Sequence, residues 1–266
     1  MKEQIIIAGA GLSGLSAAYT LAKSGLDVLV YEKKSSPGHD KHPYSCAVKS
    51  VNGLNVLQEF ASFDISIKTY EINPRVIKYS PNNQKNVGFK HYYLIGMGQS
   101  EHSLENQLYL KCLSENVKFK FNSPSQEADI IATGPKIPLV NIHGYGTVFS
   151  HMKVDPEATY LIYNNDIAPK GYTYISTKNA LTTVMAVSFD PPTFIKMKEK
   201  FHKALHEFRP LKEMTTGATK KSEIYGSAFY RKDPYPYLEK NGKLYVGEAA
   251  GLQDAARGFG IRGVLS

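Results

Sequence analysis

The sequence contains no tryptophan and only two cysteines, Cys46 and Cys112. It has no CxxC pair, and His39, His42, His91 and His102 show no metal-ligand spacing. A disulfide framework and a structural zinc site are therefore not expected, which fits a reducing, cytoplasmic setting. No run of about 18 apolar residues is present, so no membrane-crossing helix is expected. The start, MKEQIIIAGAGLSG, lacks the longer apolar run and small-residue cleavage site of a secretory signal. There is no arginine-rich run, no nucleic-acid motif, no repeat with a period of about 20–50 residues and no low-complexity tract. Nucleic acid is thus not an expected partner, although the net charge is +8. The lysines are dispersed, as at Lys33 and Lys34, between Lys196 and Lys203, and at Lys220 and Lys221, which reads as a solvated basic surface. Peripheral contact with anionic lipid headgroups stays compatible with that surface. The oligomeric state is left open.

What is present is a chain of 266 residues, 42% hydrophobic, ample for a core and long enough for one or two domains. Gln4 to Ala8 is a continuous apolar run and reads as a buried parallel strand. Leu12, Leu15, Ala18, Leu21 and Ala22 follow at helical spacing, with Gly25 as a C-cap, and Val28 to Tyr31 forms a second strand. This is a βαβ unit. Residues 33–52 read as a polar loop, and Leu54, Leu57 and Phe60 as a short helix. Strands are expected at 65–70, 75–79, 90–95 and 117–121, with a helix around Leu104 to Leu113. From about Gly146 the pattern becomes that of an antiparallel sheet, with strands at 146–152, 159–165, 171–177 and 181–189. Phe194 to Phe208 forms a helix packed on that sheet, and a last strand runs from Lys243 to Val246.

Three motifs carry the chemistry. The first is Gly9-Ala10-Gly11-Leu12-Ser13-Gly14. Gly9 permits a tight turn, Gly11 lets backbone approach a pyrophosphate, and Gly14 lets the helix pack on the strand. The helix N-terminus then offers N–H groups and partial positive charge to phosphates. Glu32, followed by Lys33, closes the unit 18 residues after Gly14 (32 − 14). A carboxylate there accepts hydrogen bonds from a ribose diol and would repel a 2′-phosphate. The second motif is an apolar strand ending in Ala132-Thr133-Gly134. The third is Gly247-Glu248-Ala249-Ala250-Gly251, followed by Gly258-Phe259-Gly260-Ile261.

The third motif resembles the G-D-A-A-G…G-x-G-I pattern of FAD-dependent geranylgeranyl reductases, within the hydroxylase-like, two-dinucleotide flavoprotein superfamily. The second is similar to the strand that passes near the cofactor in such proteins. The resemblance implies FAD rather than NAD. It implies an α/β fold, with a three-layer Rossmann-like FAD-binding domain and an inserted antiparallel β-rich substrate domain. The expected division is 1–50, 86–145 and 241–266 for the first, and 51–85 with 146–240 for the second. Carried over, Gly247, Glu248, Gly258, Gly260 and Ile261 contact the cofactor. Cys46 lies where these reductases often carry a cysteine facing the flavin. There it would donate a proton to the substrate, with Lys41, His42 and Lys49 as basic sequence neighbours; a lone cysteine also serves as an ordinary buried thiol. Tyr172 and Tyr174, in Gly171-Tyr172-Thr173-Tyr174, resemble the G-Y-x-W segment lining the family's lipid pocket; tyrosines are also simply good strand formers.

The sequence departs from the pattern at three points. Glu248 stands where the family usually has Asp. Pro135-Lys136-Ile137-Pro138 lacks the D-G-x-x-S element of aromatic hydroxylases, which argues against that type and leaves the electron donor undefined. Ser266 falls inside the helix that Gly260 should launch, so a shortened or minimal version is expected, with that end marginal unless packed. The implied reaction is reduction of a C=C bond in an apolar, prenyl-type or other lipid substrate by hydride from flavin. A flavin monooxygenase or dehydrogenase on a small molecule, and a non-catalytic flavin-binding remnant, remain the alternatives. A long apolar tunnel, a small polar pocket or a blocked flavin face would distinguish the three.

Overall fold

A computed structural model describes residues 4–37, 43–49, 55–62, 64, 66, 69–71, 75–88, 92–125, 127–134, 141–190 and 194–252. In chain order the elements are β1 (Gln4–Ala8), α1 (Leu12–Lys23), β2 (Asp27–Tyr31), β3 (Tyr44–Lys49), α2 (Val56–Ser62) and β4 (Thr69–Glu71). Next come β5 (Arg75–Ser80), β6 (Asn83–Gly88), β7 (Tyr92–Met97), α3 (Leu104–Ser114), β8 (Lys118–Lys120) and β9 (Ile130–Ile131). Then follow β10 (Ile142–Ser150), β11 (Ala158–Ile162), β12 (Tyr172–Lys178), β13 (Leu181–Ser188), α4 (Phe194–Glu207) and α5 (Arg209–Thr215). The last are β14 (Thr219–Ala228), β15 (Glu239–Lys240) and β16 (Lys243–Tyr245).

These strands form three sheets. The first has the order β15-β16-β9-β1-β2-β8 and is parallel apart from β15. Its centre is β1, whose Ile7 is fully buried and whose register sets Ala8 beside both Tyr31 and Ile131. Helix α1 packs here through Leu15, Ala18 and Ala22, the apolar positions its spacing predicts. It ends as expected, with Gly25 N–H donating to Ala22 and Leu26 N–H to Leu21. Leu108 and Cys112 of α3 complete the same core.

The second sheet, β14-β10-β13-β12-β11-β5-β6, is antiparallel except where β11 lies parallel to β5. Alternation divides its side chains cleanly. Tyr145, Phe149, Ile162, Ile175 and Val184 face Met197 and Phe201 of α4 and Leu211 of α5. Ile142, Tyr172, Tyr174, Val187 and Ala228 form a separate cluster on the opposite face.

The third sheet, β3-β7-β4, lies between the other two layers. Tyr44, Cys46, Val48, Ile95 and Met97 pack against the core of α1 and α3. The face bearing Gly96 turns to the large sheet, for a Cβ at Gly96 would sit 3.3 Å from Lys178 Nζ of β12. Burial there lowers the pKa of Lys178.

Several elements differ from the expectations. The loop expected over 33–52 contains strand β3; the alternation of Tyr44, Cys46 and Val48 is a strand signal that the nearby prolines and glycine mask. β10 begins at Ile142, with Gly144 and Gly146 inside it, so it crosses the expected boundary at 145/146. Neither α5 nor β14 is anticipated by the sequence reading. The latter is an edge strand rich in lysine and serine, a composition that hides a strand while discouraging further pairing.

Candidate functional site

The three motifs meet at the N-terminus of α1. Gly9 adopts φ +106°, and its N–H donates to Tyr31 at 2.8 Å, so the chain turns sharply off β1. A Cβ at Gly9 would fall 2.5 Å from the carbonyl oxygen of Ala132, which brings the second motif against the first. Ala132 N–H also donates to Ala8 at 2.8 Å. A Cβ at Gly247, which has φ +57°, would strike Ser13 Oγ at 1.9 Å. The third motif therefore abuts the first turn of α1 as well.

Within the loop, a Cβ at Gly14 would sit 1.9 Å from the Gly9 carbonyl oxygen, which is the close helix–strand approach the sequence implies. Gly11, by contrast, is exposed, and a Cβ there would meet nothing within 4 Å. It is the N-cap of α1 and has no side chain to offer. Leu15 N–H bonds Gly11 O at 2.9 Å, whereas the N–H groups of Leu12, Ser13 and Gly14 have no partner among the described residues. An open approach beside three undirected donors and a helix dipole suits a pyrophosphate. The FAD implied by the sequence thus fits the residues present.

Glu32 is 9% exposed and reaches back into this loop. Its Oε2 accepts from Ala10 N–H at 2.7 Å and its Oε1 from Lys34 N–H at 3.0 Å. Each carboxylate oxygen has a second lone pair, so both remain able to accept from ribose hydroxyls. Lys33 follows it and is exposed. Thr133 and Gly134 continue from Ala132, the first exposed and the second half-buried. Glu248 lies in the short turn Gly247–Ala249 and is half-buried. Gly258, Gly260, Ile261 and the Pro135–Pro138 segment lie outside the described residues, as do Lys41 and His42.

Sequence reasoning misses Tyr44 and Glu105. Burial raises the phenol of Tyr44 well above its ordinary pKa, with the negative charges of Glu105, Cys46 and Glu248 adding to the effect. Tyr44 is thus within electrostatic reach of both Cys46 and the third motif. Glu105, only 4% exposed in the first turn of α3, accepts from Gly98 N–H at 3.3 Å. The pattern that could have revealed Tyr44 is its i, i+2 spacing from Cys46 on one strand face.

The other candidates sit apart. Tyr172 and Tyr174 are buried in the cluster of the seven-stranded sheet, whereas Cys46 packs on the core of α1 and α3, so the structure does not bring them into one cluster. The sheet end nearer Tyr172 does adjoin the dinucleotide motifs, because Arg231, just past β14, donates its N–H to Gly251 O at 3.0 Å. The described residues contain no group of His, Cys, Asp and Glu able to hold a metal, and no helix among them is long and apolar enough to cross a membrane.

The cysteines differ in environment. Cys112 is fully buried, donates to Leu15 O at 3.2 Å, and has its thiol pushed up to about 12 by desolvation. Such a thiol is inert, whereas Cys46 is half-buried. Ellman's reagent should modify one thiol per native chain and two after denaturation. Two fast-reacting thiols in the native protein would contradict this arrangement.

The sequence profile of the NAD(P)-binding Rossmann-like domain matches residues 7–50. The methylenetetrahydrofolate–tRNA-(uracil-5-)-methyltransferase of Fusobacterium nucleatum is 48% identical over 48 residues, which are 17% of this chain and only 11% of that protein. Structural likeness extends much further. A geranylgeranyl bacteriochlorophyll reductase-like protein from Thermoplasma acidophilum superposes with a TM-score of 0.77 at 18% identity, covering 99% of this chain and 75% of that one. A myxobacterial FAD-dependent chondrochloren halogenase gives 0.65 at 14% identity, covering 99% and 71%. The chain thus has an N-terminal match to the NAD(P)-binding Rossmann-like domain and shares its overall fold with these reductase-like and halogenase structures.

Proposed function

We propose that the protein is an FAD-dependent oxidoreductase that reduces a C=C bond of an apolar, prenyl-type substrate. The observation that carries this reading is the convergence of the three motifs on the first turn of α1, at the end of the large sheet where apolar side chains gather. When bound, FAD supplies the hydride chemistry. The N–H groups of Leu12, Ser13 and Gly14 would hold its pyrophosphate, Glu32 would accept from its ribose, and Glu248 would accept from its hydroxyls. Tyr172 and Tyr174, with Ile142, Val187 and Ala228, exclude water from the substrate. Cys46 Sγ gives a proton to the carbon opposite the one that receives hydride, and its thiolate is reprotonated from solvent. The net change would be addition of one hydride and one proton across the double bond, with the two electrons drawn ultimately from an external donor.

The first test is the cofactor itself. Protein purified from cells should be yellow, or should become so on reconstitution with FAD. Glu32→Ala removes a charge-assisted acceptor, a loss of about 1.5–3 kcal/mol, or roughly ten- to a hundredfold in FAD affinity. Flavin retention equal to wild type would count against the role of Glu32, and NAD extracted in place of FAD would refute the assignment.

A further inference from the structure

The positive charge of this chain is unevenly placed. Residues 194–223 hold eight lysines and arginines against four glutamates, and so carry +4 (8 − 4) of the net +8. They form α4, α5 and the first half of β14. Helices α4 and α5 cover the face of the large sheet opposite Tyr172 and Tyr174. Ion pairing does not cancel the charge of this layer. Glu223 takes both Lys198 and Lys220, at 3.0 and 2.6 Å, Glu207 takes Lys203 at 3.6 Å, and Glu213 takes Arg209 at 2.8 Å. Lys196, Lys200, Lys212 and Lys221 have no acidic partner among the described residues, and Lys200 Nζ donates only to the Asp166 carbonyl, at 3.2 Å. Lys196, Lys212 and Lys221 are exposed.

Exposed lysines alone are well solvated and mark nothing. The apolar side chains among them do. Ile195, beside Lys196 in the first turn of α4, is 70% exposed, more than any other large hydrophobic residue described. Tyr225 is 46% exposed on β14, and its hydroxyl donates to Glu223, between Lys198 and Lys220. An apolar tip and an amphipathic ring among uncompensated cations match a boundary of anionic headgroups over hydrocarbon. Helix α4 does not lie down in a bilayer as a free amphipathic helix does, because Met197, Phe201 and Ala204 of its apolar face are committed to the protein core. Contact is therefore mainly electrostatic, with shallow entry of Ile195. Nucleic acid is the other polyanion a basic surface meets. Seven of the eight cations here are lysine, and Glu213 holds the one arginine, so the planar forks that grip phosphodiesters are not on offer.

We propose that the α4–α5 layer, with the adjoining part of β14, docks this protein on an anionic lipid bilayer. Ile195 enters the headgroup region, and Lys196, Lys200, Lys212 and Lys221 face the lipid phosphates. The proposal stands apart from the C=C reduction reading, since it concerns a surface on the other side of the sheet from Tyr172 and Tyr174.

The test is co-sedimentation of the FAD-loaded full chain with vesicles of phosphatidylcholine alone, or with about one third phosphatidylglycerol. Binding should require the anionic lipid and should weaken at least tenfold in about 0.5 M salt, where the Debye length is about 4 Å. Each lysine near a charged surface contributes roughly fivefold, so Lys196→Gln, Lys212→Gln and Lys221→Gln combined should weaken binding roughly a hundredfold. Ile195→Ser should cost about tenfold and leave the salt dependence as it is. Lys85→Gln, Lys240→Gln and Lys243→Gln combined, on β6, β15 and β16, remove the same charge elsewhere and should bind as wild type does. FAD content of each variant confirms the fold. Equal binding to both kinds of vesicle, or to neither, would overturn the proposal. So would a triple α4–α5–β14 variant within about twofold of wild type, or one no weaker than the control triple. Tighter binding to transfer RNA than to the anionic vesicles would assign the surface to nucleic acid instead.

Discussion

Gly14→Ala should leave the protein without bound FAD and markedly less stable. The added Cβ would lie 1.9 Å from the Gly9 carbonyl oxygen and 3.1 Å from Ala132 Cβ. The nearer atom is backbone, in the turn that must face the pyrophosphate, and cannot yield as a side-chain tip would. Helix α1 has to lift off β1, taking Leu15 and Ala18 out of a fully buried contact. Overpacking of this kind costs about 1–3 kcal/mol. For a chain of this size each kcal/mol lowers Tm by about 2–4 °C. FAD affinity should fall by a hundredfold or more, because several N–H donors move together and each charge-assisted bond is worth about 1.5–3 kcal/mol. Gly11→Ala separates the two effects. Its Cβ meets nothing within 4 Å, so melting should stay near wild type while the methyl obstructs the ligand. Flavin titration and thermal melting of both variants test this. Wild-type Tm and flavin content in Gly14→Ala would show that the glycine has no such duty.

This part of the site is legible in the sequence because its constraints are local. Gly9, Gly11 and Gly14 act within one turn of chain, and the strand before them and helix after them have strong periodic patterns. Glu32 is nearly as legible, since a βαβ unit fixes where its second strand ends. That the same carboxylate also ties down Ala10 N–H is not readable, because it depends on how far the loop folds back. Tyr44 and Glu105 escape for a related reason. Their meaning arises from β3 pairing with β7 in a layer that no neighbouring residue announces. β14 hides behind Lys220, Lys221 and Glu223, whose charges suit an exposed edge and an ion-pair link to Lys198 on α4.

Cys46→Ser should bind FAD normally and lose roughly 10²–10⁴-fold in turnover of a reducible prenyl substrate, the usual contribution of a positioned general acid. The position of Cys46 supports the role in part. It is half-buried on β3, two residues from Tyr44, whose phenol is held well above its ordinary pKa first by burial and then by the Glu105 carboxylate. The side chain packs on the core of α1 and α3, on the face of β3 that also carries Tyr44. Serine keeps the shape and a proton but is a far weaker acid than a thiol, so the loss should fall on kcat with KM little changed. Cys112→Ser is the matched control, since Cys112 lies fully buried against α1 and donates to Leu15 O; its replacement should affect melting and leave turnover intact. Both variants would be assayed anaerobically with geranylgeraniol and dithionite as the chemical donor, following the loss of the double bond by mass spectrometry. The reduction step and the proton step then separate. Flavin reduction by dithionite should proceed alike in all three proteins, and only product formation should fail in Cys46→Ser. Product formation at the wild-type rate in that variant would remove Cys46 from the mechanism and leave it as one more side chain packed beside Ile95 on the core of α1 and α3.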